Sequence, residues 1–583
     1  MKKYLYILLA FVPMMWTACN LLDQPPYDDF TDEEFWQSEQ QARSYMYGFY
    51  TSVFSGYGTA SQYVSTLGPD DDLASDKKQQ NLTPIVVPVS DGNWSFSNIR
   101  KANYVIANVK RLPLSDKDIA HWEGVARFFR ACYYSNLVFT YGDVPWFDRV
   151  PSVSNDPDEQ AYLFKDRDPR TYVDSLIMED FTFAMNNVRE NDGQLQVNRY
   201  VVAAMASRMM LREGTYLKYH QIDADRAADC LQFAFDAANM VINSGKYSIA
   251  PSYKALFTSD DLAGNPEMIM YRHYVDGVIS HAALSNSFNE PQGGLSKSLA
   301  EAFLRADGLP VYVADELWTP RNEAEFFANR DPRLTQVIRP KYYLKGEDCT
   351  PFAYTYTGYS WCKHMDDSRA DKPEPTWTGT KNVTDAPCIR YAEVLLNYVE
   401  AAYELSLLGK YTFTQDDLDK SINVIRDRAD VQMPHLQLMG NMPAVNGVPY
   451  DDPLRLQIEM VADGGITPAM LWEIRRERRV ELSLEGFRAK DLKRWRKLDY
   501  LWNDCNPDIR YGAYIVLADH SGMDAEIVLE DPDATEGYIL RNTEGKRDRP
   551  EAKNYIAPIP SGQITLYESK GYKLTQNKEW QGQ

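Results

Sequence analysis

Four glutamates, Glu473, Glu477, Glu481 and Glu485, recur at every fourth position of LWEIRRERRVELSLEGFRAKDLKRW. On a helix that spacing puts all four on one stripe. Two carboxylates held close together can hydrolyse a glycoside, one as acid and the other as base or nucleophile. A like-charged stripe also repels itself unless cations meet it, and Glu-Arg alternation more often builds an ion-pair network that locks a helical corner. Arg478 can reach Glu481 along the helix, and Arg488 or Arg494 can fold back from the next one. Gly486 at the break suits a helix C-cap. Arg475, Arg476, Arg478 and Arg479 resemble a basic binding patch, but the acidic neighbours neutralise it. The expectation is a structural network, with no catalytic residue.

Cys349, Cys362 and His364 offer three metal ligands at a spacing that matches no common zinc pattern, so no metal is expected. Asp70, Asp71 and Asp72 can bind calcium or accept sugar hydroxyls, or simply form a solvated acidic loop. The chain has no Gly-rich phosphate loop, no His-Glu-x-x-His and no Gly-x-Ser-x-Gly, and no cofactor is expected. What stands out is 39 Tyr, 23 Phe and 12 Trp. Many of these rings fall in irregular sequence, Gly56 to Gly92 and about 250–386, between Pro- and Gly-containing turns. Loops this long inside a compact chain are usually functional. A pyranose presents an apolar C–H face that an indole or phenol ring can cover, while neighbouring Asp, Asn or Arg groups bond its hydroxyls. The candidate ligand-binding residues on this reasoning are Tyr63, Asp71, Tyr274, Phe288, Asn289, Tyr359, Trp361 and Trp377. Packing in the core is the alternative for each ring.

The elements that must position these groups are mostly helical. Thr31 and Glu34 read as a capping box for a helix through Phe35, Tyr45 and Phe49. Helices follow over NWSFSNIRKANYVIANVKRL, about 118–140 (closed by Gly142 and Pro145), 170–188, 198–218 and 224–244, the last stopped by Gly245. They return at about 390–408, 416–430 and 467–498. Alanines at one-turn intervals in successive helices let them approach closely, as in tetratricopeptide repeats. The fold class expected is mostly α, a tetratricopeptide-like scaffold of helical pairs packed against an irregular, loop-rich half with minor β-hairpins.

The N-terminus, MKKYLYILLAFVPMMWTAC, has a basic start and an apolar run too short to span a bilayer, the layout of a secretory signal. Its end, Trp16-Thr17-Ala18-Cys19, resembles a lipobox whose cysteine is acylated; several acyl chains anchor a protein durably. Pro25 and Pro26 suit an extended tether. Net charge is −21, and −23 without Lys2 and Lys3, so nucleic acid is excluded as a partner and attachment to a membrane must come from lipid alone. Of the other cysteines, Cys132, Cys230 and Cys388 sit in helical apolar patterns and read as buried thiols. Cys349 and Cys362 lie in loop-like sequence, where pairing stays open.

Five segments in order carry a family resemblance. GVARFFRACYYSNLVFTYGDVPWF resembles an Arg-Phe-Leu-Arg-Ala run leading to a Phe-Gly-x-x-Pro turn, with Phe129 for Leu and Tyr141 for Phe. PCIRYAEVLLNYVEAAYEL and INVIRDRADV resemble an Arg-x-Ala-Glu helix and its Asn-x-x-Arg-x-Arg-Ala partner. RRERRVELSLEGFRAKDLKRW resembles a Glu-Arg-x-x-Glu-Leu helix, a Glu-Gly-x-Arg turn and an Asp-Leu-x-Arg-Trp helix. Tyr555 to Pro560 resembles a C-terminal Pro-Ile-Pro segment. Together, behind a lipobox, these resemble the SusD/RagB family of outer-membrane nutrient-binding lipoproteins of Bacteroidetes.

The resemblance implies a non-catalytic surface lipoprotein that caps a SusC-like TonB-dependent barrel and passes it oligosaccharide or polysaccharide, or in some branches peptide. It implies a signal peptide over 1–18, a tether over 19–30 and a SusD-like domain over 31–583. Within that domain the expected parts are 31–250 (helical), 251–386 (loop-rich, on the ligand side) and 387–583 (helical with the Pro-Ile-Pro tail). The sequence has no Trp near residue 290, where some family members place a stacking ring, so a starch site does not carry over. A surface glycan-active enzyme using Glu477 or Glu481, and a helical-repeat adhesin, are the competing readings.

Overall fold

Apolar residues recurring at helical spacing build one half of the molecule. A computed structural model describes residues 35–59, 62, 70–74, 86–152, 154–283, 285, 293–312, 318–349, 352–366, 379–541 and 548–582. Its main helices are α1 (Glu39–Val53), α2 (Ser97–Asn108), α3 (Asp116–Tyr141), α4 (Arg170–Asn187), α5 (Arg199–Tyr219), α6 (Ala224–Asn243), α7 (Tyr391–Leu407), α8 (Ala469–Glu481) and α9 (Arg488–Arg494). Side chains close the open ends. Ser38 accepts from the Gln41 amide, Ser115 from Asp118, Asn198 from Tyr200 and Val201, and Asp223 from Arg226. Each satisfies an N–H that no helical carbonyl reaches. α3 ends where Gly142 turns to a φ of 76°, which a side chain would resist.

The helices pack largely in chain order: α1 and α2 on α3, α3 on α4, α4 on α5, α5 on α6, α6 on α7, and α7 on α8. α6 buries Ala227, Cys230, Leu231, Ala234, Ala238 and Val241 along one face. Opposite it, a methyl on Gly214 of α5 would lie 3.0 Å from the Ala227 carbonyl and 2.8 Å from the Leu231 side chain. Aromatic residues fill wider gaps; Phe49 stacks on Phe129 with ring centres 5.1 Å apart, a contact that adds about 1 kcal/mol beyond its burial. This succession is the tetratricopeptide-like scaffold, and the chain is mostly α.

The other half has its own core around Tyr253, Phe257, Phe303, Phe326, Leu334 and Tyr342. Its strands are few. β1 (Met268–Arg272) runs antiparallel to β2 (Ala386–Arg390), and β3 (Gln437–Met439), β4 (Met442–Val445) and β5 (Val448–Pro449) form a small meander. β6 (Tyr511–Val516), β7 (Val528–Leu529) and β8 (Glu536–Leu540) are ordered β6-β8-β7.

Three boundaries differ from the sequence expectation. The helix through Tyr45 and Phe49 starts at Glu39 on a Ser38 cap, after a break that parts it from Phe35, and the capping-box residues Thr31 and Glu34 lie outside the described residues. The helix expected over 416–430 is two short ones, Gln415–Asp419 and Ile422–Arg426. They part at Ser421, whose hydroxyl donates to the Asp417 carbonyl at 2.5 Å and whose backbone leaves the helical region. The stretch 467–498 is α8 and α9, separated by a bend with Leu484 and Gly486 at positive φ. Cys349 and Cys362 are free thiols, and Cys388 is only partly buried while Cys132 and Cys230 are fully enclosed.

Candidate functional site

Of the four stripe glutamates, Glu473 pairs within α8 with Arg476 at 3.1 Å, and the other three find their cations on other elements. Glu481 accepts from Arg390 at 2.7 Å, Arg428 at 2.8 Å and Arg333 at 3.0 Å. Glu477 accepts from Arg426 at 2.9 Å and lies 2.7 Å from Arg333. Glu485 accepts from Arg390 at 2.9 Å and from Lys363 at 2.7 Å. Glu267, just before β1, shares Arg390 and Arg428. Burial alone would raise these carboxyls, but the arginines outweigh it: Glu481 is brought down to about 2, and Glu477 is also lowered. A general acid needs the opposite shift, so neither is suited to protonate a leaving group near neutral pH. The expected intramolecular partners serve elsewhere. Arg478 holds Asp491, Arg494 holds Glu400 and Asp491, and Arg488 holds Asp71.

That last pair ties the lattice to the loops. Asp70, Asp71 and Asp72 are buried, which corrects the expectation of a solvated acidic loop. Asp71 accepts from Arg488 at 2.6 and 2.7 Å, and Asp72 accepts from Arg479 at 2.8 Å. Burial works to raise Asp71, and Arg479 with Arg488 overrides it, holding the carboxyl at about 2. Beyond this grip the backbone continues into a junction of several segments. Leu73 bridges Leu295, the Ala74 amide donates to Gly294, and Ser296 donates to the Asp72 carbonyl. Leu295 donates to Tyr359, His281 pairs with Asn382 in both directions, and Gly379 donates to the Ser285 hydroxyl.

The sequence candidates fall around this junction in two groups. Asp71, Tyr274, Tyr359 and Trp361 are enclosed, with 0%, 2%, 1% and 6% of their surface exposed. The Tyr274 hydroxyl donates to the Gly58 carbonyl, and its ring meets His281 at 4.5 Å and Tyr57 at 6.4 Å. Tyr359 lies against Phe326 and Tyr342. These rings pack beneath the junction with no open face for a sugar to stack on. Asp71 lines a cleft of about 60 Å³ with Trp472, Trp495 and Tyr500, room for about two waters. Tyr63, Phe288, Asn289, Trp377 and the acylation candidate Cys19 lie outside the described residues. The described neighbours that flank three of them in the chain, Ser285, Gly293 and Gly379, belong to the junction or border it.

Among the described residues no cluster of His, Cys, Asp and Glu is placed to hold a metal ion. The Cys349 thiol donates to the Leu344 carbonyl, and His364 packs against Tyr57 and Phe257. Nor is any described helix long and apolar enough to cross a membrane.

A second cavity was not anticipated. It has a volume of about 310 Å³ and opens between the end of α1, α3, α5, β2 and the bend that joins α8 to α9. Its cations include Arg208, Arg212 and Lys490. A signal for it existed in the sequence: Arg208 and Arg212 sit at i, i+4 on α5, within and just after the largely apolar run Val201 to Leu211.

The SusD family profile matches residues 285–580. SusD-like protein P38 of Formosa agariphila is 22% identical over 530 residues, covering 85% of this chain and 93% of that one. A SusD-like carbohydrate binding protein from Bacteroides fragilis superposes with a TM-score of 0.64 at 20% identity, covering 91% of this chain and 99% of that one. A laminarin-binding SusD-like protein superposes with a TM-score of 0.50 at 18% identity, covering 93% and 99%. At these identities the structural likeness is one of fold.

Proposed function

The chain belongs to the SusD family, and from that premise we propose that it is a non-catalytic, cell-surface lipoprotein that binds an oligosaccharide or polysaccharide. In this reading residues 1–18 are removed, Cys19 is acylated, and 19–30 tether the domain to the outer membrane. The folded part caps a SusC-like TonB-dependent barrel and delivers glycan to it. Tyr63, Phe288, Asn289 and Trp377 contact the ligand, while Asp71, Tyr274, Tyr359 and Trp361 brace the loop junction.

The observation that carries this reading is the junction itself. Segments that are far apart in the chain meet at Leu73, Ser285, Leu295, Tyr359 and Gly379, and a buried ion lattice fixes their bases. A rigid base under long loops is how binding surfaces are commonly built. Two SusD-like proteins of the same fold are described as carbohydrate binding and laminarin binding, which supports a sugar over a peptide. The depressed carboxyls of Glu477 and Glu481 support binding without turnover.

Affinity electrophoresis of the purified chain against plant, host and microbial polysaccharides and peptide pools tests the reading. Retardation by one glycan without its breakdown upholds it; glycan breakdown by the pure protein, or retention by peptides alone, overturns it. Co-isolation of a barrel from solubilised outer membrane tests the partnership, and its absence refutes that part.

A further inference from the structure

In a chain of net charge −21, a cavity lined by six cations and three carboxylates is an exception. The carboxylates are already committed. Glu393 is held by Arg208, Asp491 is shared by Arg478 and Arg494, and Glu485 is shared by Arg390 and Lys363. Two cations are left over. Among the described residues Arg212 donates to Asn136 Oδ1 at 3.0 Å, Ser135 O at 2.8 Å and Ser135 Oγ at 2.9 Å and lies over the Phe139 ring, and its buried Nε has no hydrogen-bond partner there. Lys490 makes no ion pair among the described residues and stands at the mouth, in contact with water. The two face the same space, both lining this cavity. Cations gathered in a partly dry cavity without a counter-charge are stabilised by an anion that enters it.

Size and rim narrow the anion. Ser52, Ser55 and Asn136 are exposed around the opening, and Phe487 forms part of the wall. About 310 Å³ lies at the small end of ligand pockets and is filled by about ten waters, the scale of one sugar ring. We propose that this cavity binds a single acidic sugar unit, its carboxylate or sulfate ester between Arg212 and Lys490 and its hydroxyls toward Ser52, Ser55 and Asn136. The proposal takes from the preceding reading only that the ligand is a sugar. It places a second subsite, selective for charge, away from the loop junction.

The test is ligand-detected NMR and calorimetry on the purified chain with glucuronate, a sulfated monosaccharide, glucose, inorganic sulfate and inorganic phosphate. The expected result is binding of the acidic sugars and none of glucose. Lys490→Gln should weaken it tenfold or more, on the order of one lost charged hydrogen bond. Lys490 is exposed, so the variant should fold; Arg212→Gln tests the floor of the cavity independently, with circular dichroism as the check. Sulfate or phosphate binding as tightly as the acidic sugars would overturn the sugar assignment, and no acidic sugar binding by the folded wild type would overturn the site. Electrophoresis separates the two readings. Retardation by a neutral glycan without acidic-sugar binding defeats this proposal alone, and acidic-sugar binding without any polysaccharide retardation defeats the loop-face reading alone.

Discussion

Replacing Glu481 by Gln should be among the most damaging single-atom-scale changes in this protein. One buried carboxylate there answers Arg390, Arg428 and Arg333. Its folded value of about 2 lies below the ordinary 4.5. At about 1.4 kcal/mol per factor of ten, that difference is on the order of 3 kcal/mol of stability at neutral pH. Loss of one partner from a buried pair costs about 3–5 kcal/mol. The lower end applies, because Arg390 keeps Glu267 and Glu485, Arg428 keeps Glu267, and Arg333 keeps Asp331 and Glu477. The sign follows from the depressed value: the contribution is complete well above pH 4.5 and is lost as pH falls toward 2. Urea unfolding followed by far-UV circular dichroism should show the variant about 3 kcal/mol less stable at pH 7. At pH 4 the gap should be about 1 kcal/mol smaller, since the unfolded wild type already binds a proton there at Glu481 while the folded carboxylate stays charged. A difference under about 1 kcal/mol at pH 7, or a gap that does not shrink at pH 4, would refute the reasoning.

Gly214→Ala should cost about 1–3 kcal/mol in the same assay, where an exposed helical glycine would gain about 1, because the new methyl meets the backbone of α6. Asp71→Asn should lower both stability and glycan retardation, since Arg479 and Arg488 then lose the charge that pins residues 70–74; full retention of both counts against the role given to that grip. Thiol titration in denaturant without reductant should find Cys132, Cys230, Cys349, Cys362, Cys388 and Cys505 all reactive. A count lower by two would reveal a bridge. In the native state Cys132 and Cys230 should stay unreactive, because both are enclosed and burial pushes their thiols up.

The helical half was readable from periodicity because most of its helices bury a face against a neighbour close in the chain. Gly142 and Gly245 marked real ends for the same local reason. The network on α8 was readable in kind, since four like charges at i, i+4 demand cations. Its partners were not: Arg333, Arg390, Arg426 and Arg428 come from segments 50 to 150 residues away, and spacing along one helix carries no information about them. The loop aromatics stand out in the sequence only by type and by irregular surroundings. Irregular sequence has no period from which to read burial, so Tyr274, Tyr359 and Trp361 could not be told from surface rings. Lys490 and Arg212 escaped notice because a cation lacks a partner only by comparison with every other group in the fold.

The ion lattice also fixes the order in which the molecule can be finished. Arg333, Arg390, Arg426 and Arg428 are all buried, and all precede in the chain the glutamates of α8 that neutralise them. While a chain emerges N-terminus first, Arg426 lacks its carboxylate and Arg333, Arg390 and Arg428 have only Asp331 and Glu267 to close upon, and burying them with so little counter-charge is costly. The loop-rich half therefore completes only when α8 arrives, which holds the growing chain open until late. A chain cut before Ala469 is then an unfinished molecule with no way to settle into a smaller one. On the export route proposed above, where a chain is threaded through a membrane before it folds, such lateness is an advantage.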